Sequence, residues 1–289
     1  MAWVNAIIQG VLIGGLYALF ACGLSLMFGV MKVVNLAHGD LAVLAGYFAI
    51  GIVAVTHVPV LWSFVIVVPL MAVLGYIMQR TILQGALDRS VLTTLMVTFG
   101  LSVVIENGLL QFETANTRGI GVGLPLLTES FSVGSIQIAY LLVVIFATAV
   151  IVLLGLQYFL SRSKYGRLIR AVADDKEAAQ LAGADYRHVF GIAAAIAFGT
   201  VALAGIAYGM YSQLSPTTGT DTILLFAFAA VVIGGLGSLW GTLLGGVVLG
   251  VAQGIGAQIH SSAVLAGFIV FLAVLALRPQ GLISRGAPS

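Results

Sequence analysis

Charge is what this sequence has least of. Asp, Glu, Lys and Arg make up 8% of its 289 residues, against 61% hydrophobic residues. A soluble domain carries about 25% charged residues, so this chain lacks the means to coat its surface against water. The shortage is also organised. Residues 1–31, 41–79, 130–161 and 222–277 contain no Asp, Glu, Lys or Arg. A membrane-spanning helix needs about 20 apolar residues, so each run supplies at least one crossing and the longer ones supply more. The expected fold class is all-α: a polytopic transmembrane helix bundle with broken or re-entrant helices, one transmembrane domain over residues 1–289.

Other absences narrow the function. The single cysteine, Cys22, lies in an apolar run. It excludes an intramolecular disulfide and reads as a small packing residue. The lysines are Lys32, Lys164 and Lys176, and none follows the glycine pattern of a nucleotide phosphate loop. The chain itself is therefore not expected to hydrolyse ATP. No Cys/His cluster suggests a metal, and no paired nucleophile and base suggests an enzyme. Neither a cofactor nor a nucleic-acid partner is expected. Proton-coupled carriers keep several ionisable residues within their spans; here only Asp40 and Glu106 are candidates. The N-terminus lacks the positive start of a secretory signal, so the first run is expected to remain in the mature protein.

Glycine, by contrast, is plentiful, at 36 residues concentrated in the apolar runs. It lets membrane helices approach closely and marks helices broken at membrane depth. Spans are expected near 6–30, 37–56, 59–79, 91–112, 137–160 and 188–212. The apolar region 222–277 divides into 222–236, 239–257 and 261–277, separated by "GGLGSLWG" (234–241) and the polar "AQIHSS" (257–262). The first of these pieces reaches only about 22 Å, short of a hydrocarbon core of about 30 Å. It is expected to be a half-helix, or a helix stacked away from lipid.

Orientation follows from the basic residues. Loop 161–187 holds Arg162, Lys164, Arg167, Arg170, Lys176 and Arg187; loop 80–90 holds Arg80 and Arg89; the tail holds Arg278 and Arg285. The positive-inside rule makes all three cytoplasmic. Loop 113–136 then faces outward, the N-terminus lies outside and the C-terminus inside. The last apolar region is expected to begin on the outer side, near "SPTTGTD" (215–221).

Two stretches carry the candidate sites. The first is "NLAHGDLAVLAG" (35–46), polar at the head of a membrane-length segment. In one reading Asn35 is an N-cap, Asp40 complements a helix start facing the cytoplasm, and His38 is an interfacial residue. In the other, Asn35, His38, Gly39 and Asp40 belong to a broken helix lining a transport path. Glu106 and Asn107, past the middle of their span, are either outer interface residues or face a wet cavity or subunit interface. The late breaks at Gly235 and Gly237 are candidates for the same path. Tyr17 and Tyr208 read as packing residues. The second stretch is "DDKEAAQLAG" (174–183). A short helix is expected from Asp174 to Leu181, with Asp174, Asp175 and Glu177 at its N-terminal end and Gly183 as its stop. Small Ala178 and Ala179 would let it seat in a groove on another protein.

"EAAQLAG" (177–183) resembles the EAA coupling motif of ABC importer permeases. The wider "GRLIRAVADDKEAAQLAGAD" (166–185), the opening "NLAHGDLAVLAGY" (35–47) and "VVIGGLGSLWGTLLGG" (231–246) resemble, in the same order, segments of the LivH-type branched-chain amino acid permeases. The I-x-L-P ending of the motif in many other importers is absent, as in the LivH type. The resemblance implies the bacterial inner membrane and a path formed with a second permease subunit, LivM-like or another copy. It also implies two ABC ATPase subunits inside, an extracytoplasmic solute-binding protein, and branched-chain amino acids as cargo. Urea, short amides or other amino acids are alternative cargoes. A secondary transporter or channel would leave the acidic helix without a purpose.

Overall fold

The structure is a computed structural model. It describes residues 2–57, 59–113, 116–120, 129–133, 136–259 and 262–283. Much of loop 113–136 (114–115, 121–128 and 134–135), residues 260–261 of the late polar break, and Arg285 lie outside the described residues.

The elements run α1 (Ala2–Met31), α2 (His38–Thr56), α3 (Val60–Leu87), α4 (Val91–Glu113), β1 (Ser130–Val133) and β2 (Ile136–Ala139). They continue with α5 (Tyr140–Arg162), α6 (Lys164–Asp174), α7 (Lys176–Leu181), α8 (Tyr186–Tyr211), α9 (Gly219–Gly234), α10 (Leu239–Gln258) and α11 (Ala263–Leu277). Among the described residues 7 helices, α1, α2, α3, α4, α5, α8 and α10, are long and apolar enough to cross a membrane, while α9 and α11 are shorter apolar helices. The chain is a multi-pass membrane protein of helical class. Two boundaries differ from expectation. Helix α3 continues past residue 79 through a π-helical turn, Gln79–Leu83, so most of the expected 80–90 loop is helix. Residues 137–139, expected to open a span, pair instead in an antiparallel hairpin with Ser130 opposite Ala139.

Helix α1 is the axis of the bundle. Every residue from Gly14 to Met27 is buried, as expected of a helix that is apolar all round. Helix α10 crosses it at very close range. A Cβ at Gly10 would sit 2.6 Å from the Gly250 carbonyl oxygen, and one at Gly14 would sit 2.6 Å from Val247 Cα. Only glycine permits this approach, and in a membrane such packing takes the place of the hydrophobic drive. Helix α8 covers another side of α1 and is itself largely buried. Helices α3, α4, α5 and α11 turn apolar side chains such as Leu61, Val104, Ile151 and Leu265 outward.

One face of the bundle gathers the ends of α1, α3 and α5, the helices α6 and α7, and the start of α8. Asp88, just beyond α3, ties that face together: it pairs with Arg187 Nη2 at 3.2 Å and Lys176 Nζ at 4.0 Å, and accepts from Tyr186 Oη at 3.2 Å. The C-terminal end of α9 reaches the same face, where the Leu282 and Ile283 amides donate to the Ile233 and Gly234 carbonyls at 2.8 and 3.0 Å. The basic loop 161–187 makes this the basic face.

Candidate functional site

Two helices of the bundle begin inside it. After α1 the chain turns back along its own path. Asn35 Oδ1 accepts from the Ala37 amide at 3.0 Å, and the His38 amide donates to the Asn35 carbonyl at 3.2 Å. The N-cap of α2 is therefore Ala37, not Asn35; Asn35 shapes the turn before it. His38 is fully buried, and its Nε2 lies 2.8 Å from the carbonyl oxygen of Phe20. A carbonyl can only accept, so Nε2 carries the proton. Phe20 is eleven residues before the end of α1, about 16 Å along the axis. Helix α2 thus starts near mid-depth, and the reading in which Asp40 caps a helix start at the cytoplasmic surface is corrected. Gly23 makes the turn possible: a Cβ there would lie 3.0 Å from His38 Cε1.

Helix α9 starts at the same level. Following α8, Leu214 is fully buried and its carbonyl accepts from Tyr47 Oη at 3.4 Å. The chain then runs inward, and Gly219 meets the first turn of α2: a Cβ at Gly219 would lie 2.6 Å from the Asp40 amide nitrogen. The "SPTTGTD" segment, expected on the outer surface, is therefore re-entrant. It satisfies its own polar groups on the way, with the Ser215 amide donating to Thr218 Oγ1 at 2.9 Å and the Thr218 amide to the Ser215 carbonyl at 3.1 Å. Irregular backbone at this depth is tolerated only within protein or beside a cavity.

Asp40 sits where the two helix starts meet, and it is fully buried. Thr220 Oγ1 donates to its Oδ1 at 3.1 Å, and Ser102 Oγ of α4 donates to its Oδ2 in a short bond. Thr220 Oγ1 also lies 3.4 Å from Glu106 Oε2. A hydroxyl has one proton, so Thr220 serves either Asp40 or Glu106. No Lys or Arg pairs with Asp40, Glu106 or Asp221 among the described residues. What holds the carboxylate is the hydroxyl pair and the positive ends of two helices. A charged side chain at the centre of a membrane helix costs about 2.5–3.5 kcal/mol on insertion scales. Two hydrogen bonds to a charged group, each about 1.5–3 kcal/mol, are enough to offset that. Glu106 is half-buried and Asp221 exposed, so the cluster opens onto the outside of this chain. Chemically it is a group of oxygen acceptors at mid-depth, suited to a donor of positive charge.

Of the residues singled out in the sequence, Asn35 and His38 lie just before this junction, held by Ala37 and Phe20, and Gly39, Asp40 and Glu106 are brought to it. Asn107 is not: it is exposed, and its Nδ2 donates to Val103 of its own helix at 2.8 Å. Gly235 and Gly237 are not either. They lie at the far end of α9, with φ of +109° and +81°. Gly39 packs its Cα face against the Gly219 carbonyl. Tyr17 is buried, donates to Gln253 Oε1 at 2.5 Å, and with Tyr208 lines a separate cavity of about 390 Å³.

The second expected site, α7, forms on the basic face. Asp174 closes α6. Asp175 caps α7, its Oδ1 accepting from the Glu177 and Ala178 amides at 2.9 Å each. Gly183, at φ +89°, ends the helix with its amide on the Gln180 carbonyl and that of Ala184 on the Ala179 carbonyl, both 2.9 Å, the paired bonds of a Schellman stop. Glu177 and Ala178 are exposed, but Ala179 is 8% exposed and packs inward. Of the two alanines expected to seat in a groove on another protein, Ala179 is instead covered within this chain. Leu181, at the end of α7, is 92% exposed.

The sequence profile of a family described as "Branched-chain amino acid transport system / permease component" matches residues 6–277. The chain belongs to this family. Relatives of this permease include the high-affinity branched-chain amino acid transport system permease protein BraD of Pseudomonas aeruginosa, 28% identical over 98% of this chain and 96% of the relative. LivH of Escherichia coli, with the same description, is 27% identical over 96% and 94%. The ribose import permease protein RbsC of Escherichia coli is 26% identical over 89% and 81%. Ser102 and Thr220, the two hydroxyls on Asp40, were not singled out in the sequence. Ser102 had a signal: it precedes Glu106 by four residues, on one helix face. Thr220 had none beyond its place beside Asp221.

Proposed function

We propose that this permease is the membrane subunit of an ATP-driven importer of branched-chain amino acids, and that its path passes the junction at Asp40. The observation that carries this reading is the meeting of two interrupted helices at mid-depth around a buried carboxylate, the arrangement in which solute sites of transporters are built. The cluster's acceptors match the α-ammonium group of an amino acid.

A second permease subunit, LivM-like or another copy, completes the path. The exposure of Asn107 and Asp221 at membrane depth supports this, because lipid cannot satisfy such groups. Two ATPase subunits supply the energy, since this chain has no nucleotide phosphate loop. They dock on the basic face, against Glu177, Ala178 and Leu181, with Asp174, Asp175 and Gly183 shaping α7. The basic face is cytoplasmic by the positive-inside rule, which leaves the N-terminus outside and the C-terminus inside in a bacterial inner membrane. An extracytoplasmic binding protein delivers the solute. The branched-chain cargo is supported by BraD and LivH, permease proteins of branched-chain amino acid transport systems that align over nearly the whole chain. The test is uptake by the reconstituted complex with its ATPases and binding protein. ATP-dependent accumulation of leucine but not of ribose or urea is expected; accumulation without ATP would overturn the reading.

A further inference from the structure

A second polar cavity lies on the basic face, away from the Asp40 junction. It measures about 140 Å³ and is bounded by the end of α1, the end of α5, helix α6 and the start of α10. Its polar lining residues are Ser25, Gln157, Ser161, Arg170 and Ser238; its apolar wall includes Leu26, Leu160 and Ile169. Three observations point to an anion with an apolar tail. First, Ser25 is 1% exposed, lines the cavity, and its hydroxyl has no partner among the described residues. A buried hydroxyl left unpaired is unfavourable, and a ligand acceptor would relieve that. Second, the Arg170 guanidinium has no carboxylate partner among the described residues. Among the described residues its Nη2 donates to the Ser161 carbonyl at 3.4 Å. Third, the N-terminus of the 20-residue helix α10 opens onto the same space at Ser238, Leu239 and Trp240, with Ser238 Oγ accepting from the Gly241 amide at 3.1 Å. The first amides of a helix have no partner within it, and its positive end favours anions.

Size selects among anions. About 10–15 Å³ of such space holds one water, so the cavity takes on the order of ten non-hydrogen atoms. Inorganic phosphate would leave the apolar wall unfilled. A short aliphatic amino acid fits both ends, with its carboxylate on Arg170, Ser25 and the α10 start, and its side chain on Ile169 and Leu160. Ile169 and Arg170 belong to α6, which runs directly into α7. We infer that this cavity is a binding site for a small aliphatic amino acid on the basic face, and that its occupant fixes α6 against α1 and α10 and so slows the docked machinery.

The identity of the ligand rests on the proposed function, because the imported solute is the aliphatic carboxylate that accumulates on that side. The test therefore separates binding from transport. In the purified complex, thermal unfolding of the permease is followed with leucine, leucinamide and inorganic phosphate as probes. Leucine is expected to raise the midpoint, while leucinamide, which lacks the carboxylate, and phosphate, which lacks the side chain, are not. Arg170→Gln should abolish the shift, and Ser25→Ala should weaken it; both should keep the wild-type abundance. In proteoliposomes loaded with leucine on the basic side, uptake is expected to slow in wild type. The half-inhibitory concentration should rise at least about tenfold in Arg170→Gln, with uptake unchanged at zero internal leucine. Equal shifts with leucine and leucinamide, or a leucine shift that survives both substitutions, would overturn the site. A shift without inhibition would overturn its regulatory role, and a shift without any leucine transport would strike the proposed cargo and leave the site standing.

Discussion

Asp40 and Thr220 are 180 residues apart in the chain and meet in the fold, Thr220 Oγ1 donating to Asp40 Oδ1 at 3.1 Å. This one bond closes the junction between the first broken helix and the last. Neither helix start could sit at mid-depth alone, because each would leave unpaired backbone amides in hydrocarbon. Together they direct their positive ends at one carboxylate, and Ser102 of α4 adds a second hydroxyl.

Thr220→Val keeps the shape of the side chain and removes its hydroxyl. A hydrogen bond to a charged group contributes about 1.5–3 kcal/mol. Uptake per permease molecule is expected to fall about tenfold or more, and Thr220→Ser should retain most of it. Initial uptake rates normalised to membrane abundance are the measurement. Normal transport by Thr220→Val would detach the hydroxyl from the function of Asp40.

On the basic face, the outward residues of α7 should govern docking and the inward one folding. Leu181→Asp is expected to leave the permease abundant in the membrane while the ATPase no longer co-purifies with it. Ala179→Arg should instead reduce permease abundance, because Ala179 is buried in this chain. If Leu181→Asp retains the ATPase in wild-type amounts, α7 is not the docking surface.

How much of this was legible beforehand differs by element. The long spans were, because uncharged runs of membrane length have few other solutions; α4, α8 and α10 lie within two residues of expectation. Helix α7 was also visible, expected over 174–181 and found over Lys176–Leu181, since Asp175 and Gly183 are local signals for a start and a stop. The depth of α2 was not. It depends on His38 meeting Phe20 across eighteen residues, and nothing in the local pattern separates a polar helix start at the membrane surface from one inside it. The same limit hid the descent of residues 213–218, whose Ser, Thr and Pro read as a surface turn. The inward face of Ala179 was hidden too, because which side of α7 is covered is set by the anchoring at Asp88 and not by the helix itself.

Glycines should sort by what surrounds them. Gly250→Ala places a methyl group against the Gly10 carbonyl and the Gly14 backbone. Overpacking of this kind costs about 1–3 kcal/mol. Gly155 has open space at its Cβ position. A lower unfolding midpoint in detergent is expected for Gly250→Ala and none for Gly155→Ala. Equal midpoints would mean that α1 and α10 are not in direct backbone contact.

Orientation can be read with single cysteines, because native Cys22 is fully buried and gives little background. A membrane-impermeant thiol reagent added outside intact cells is expected to label Thr117→Cys and not Ser163→Cys. The reverse pattern would invert the topology and put the basic face outside.

Whether the junction borders a wet path is tested most directly at Asp221, the exposed carboxylate beside it. In the reconstituted importer, Asp221→Cys is expected to react with a small water-soluble thiol reagent, and leucine under ATP turnover should slow that reaction. Reaction with membrane-soluble reagents alone, indifferent to leucine, would mean that this face meets lipid and that the solute crosses elsewhere.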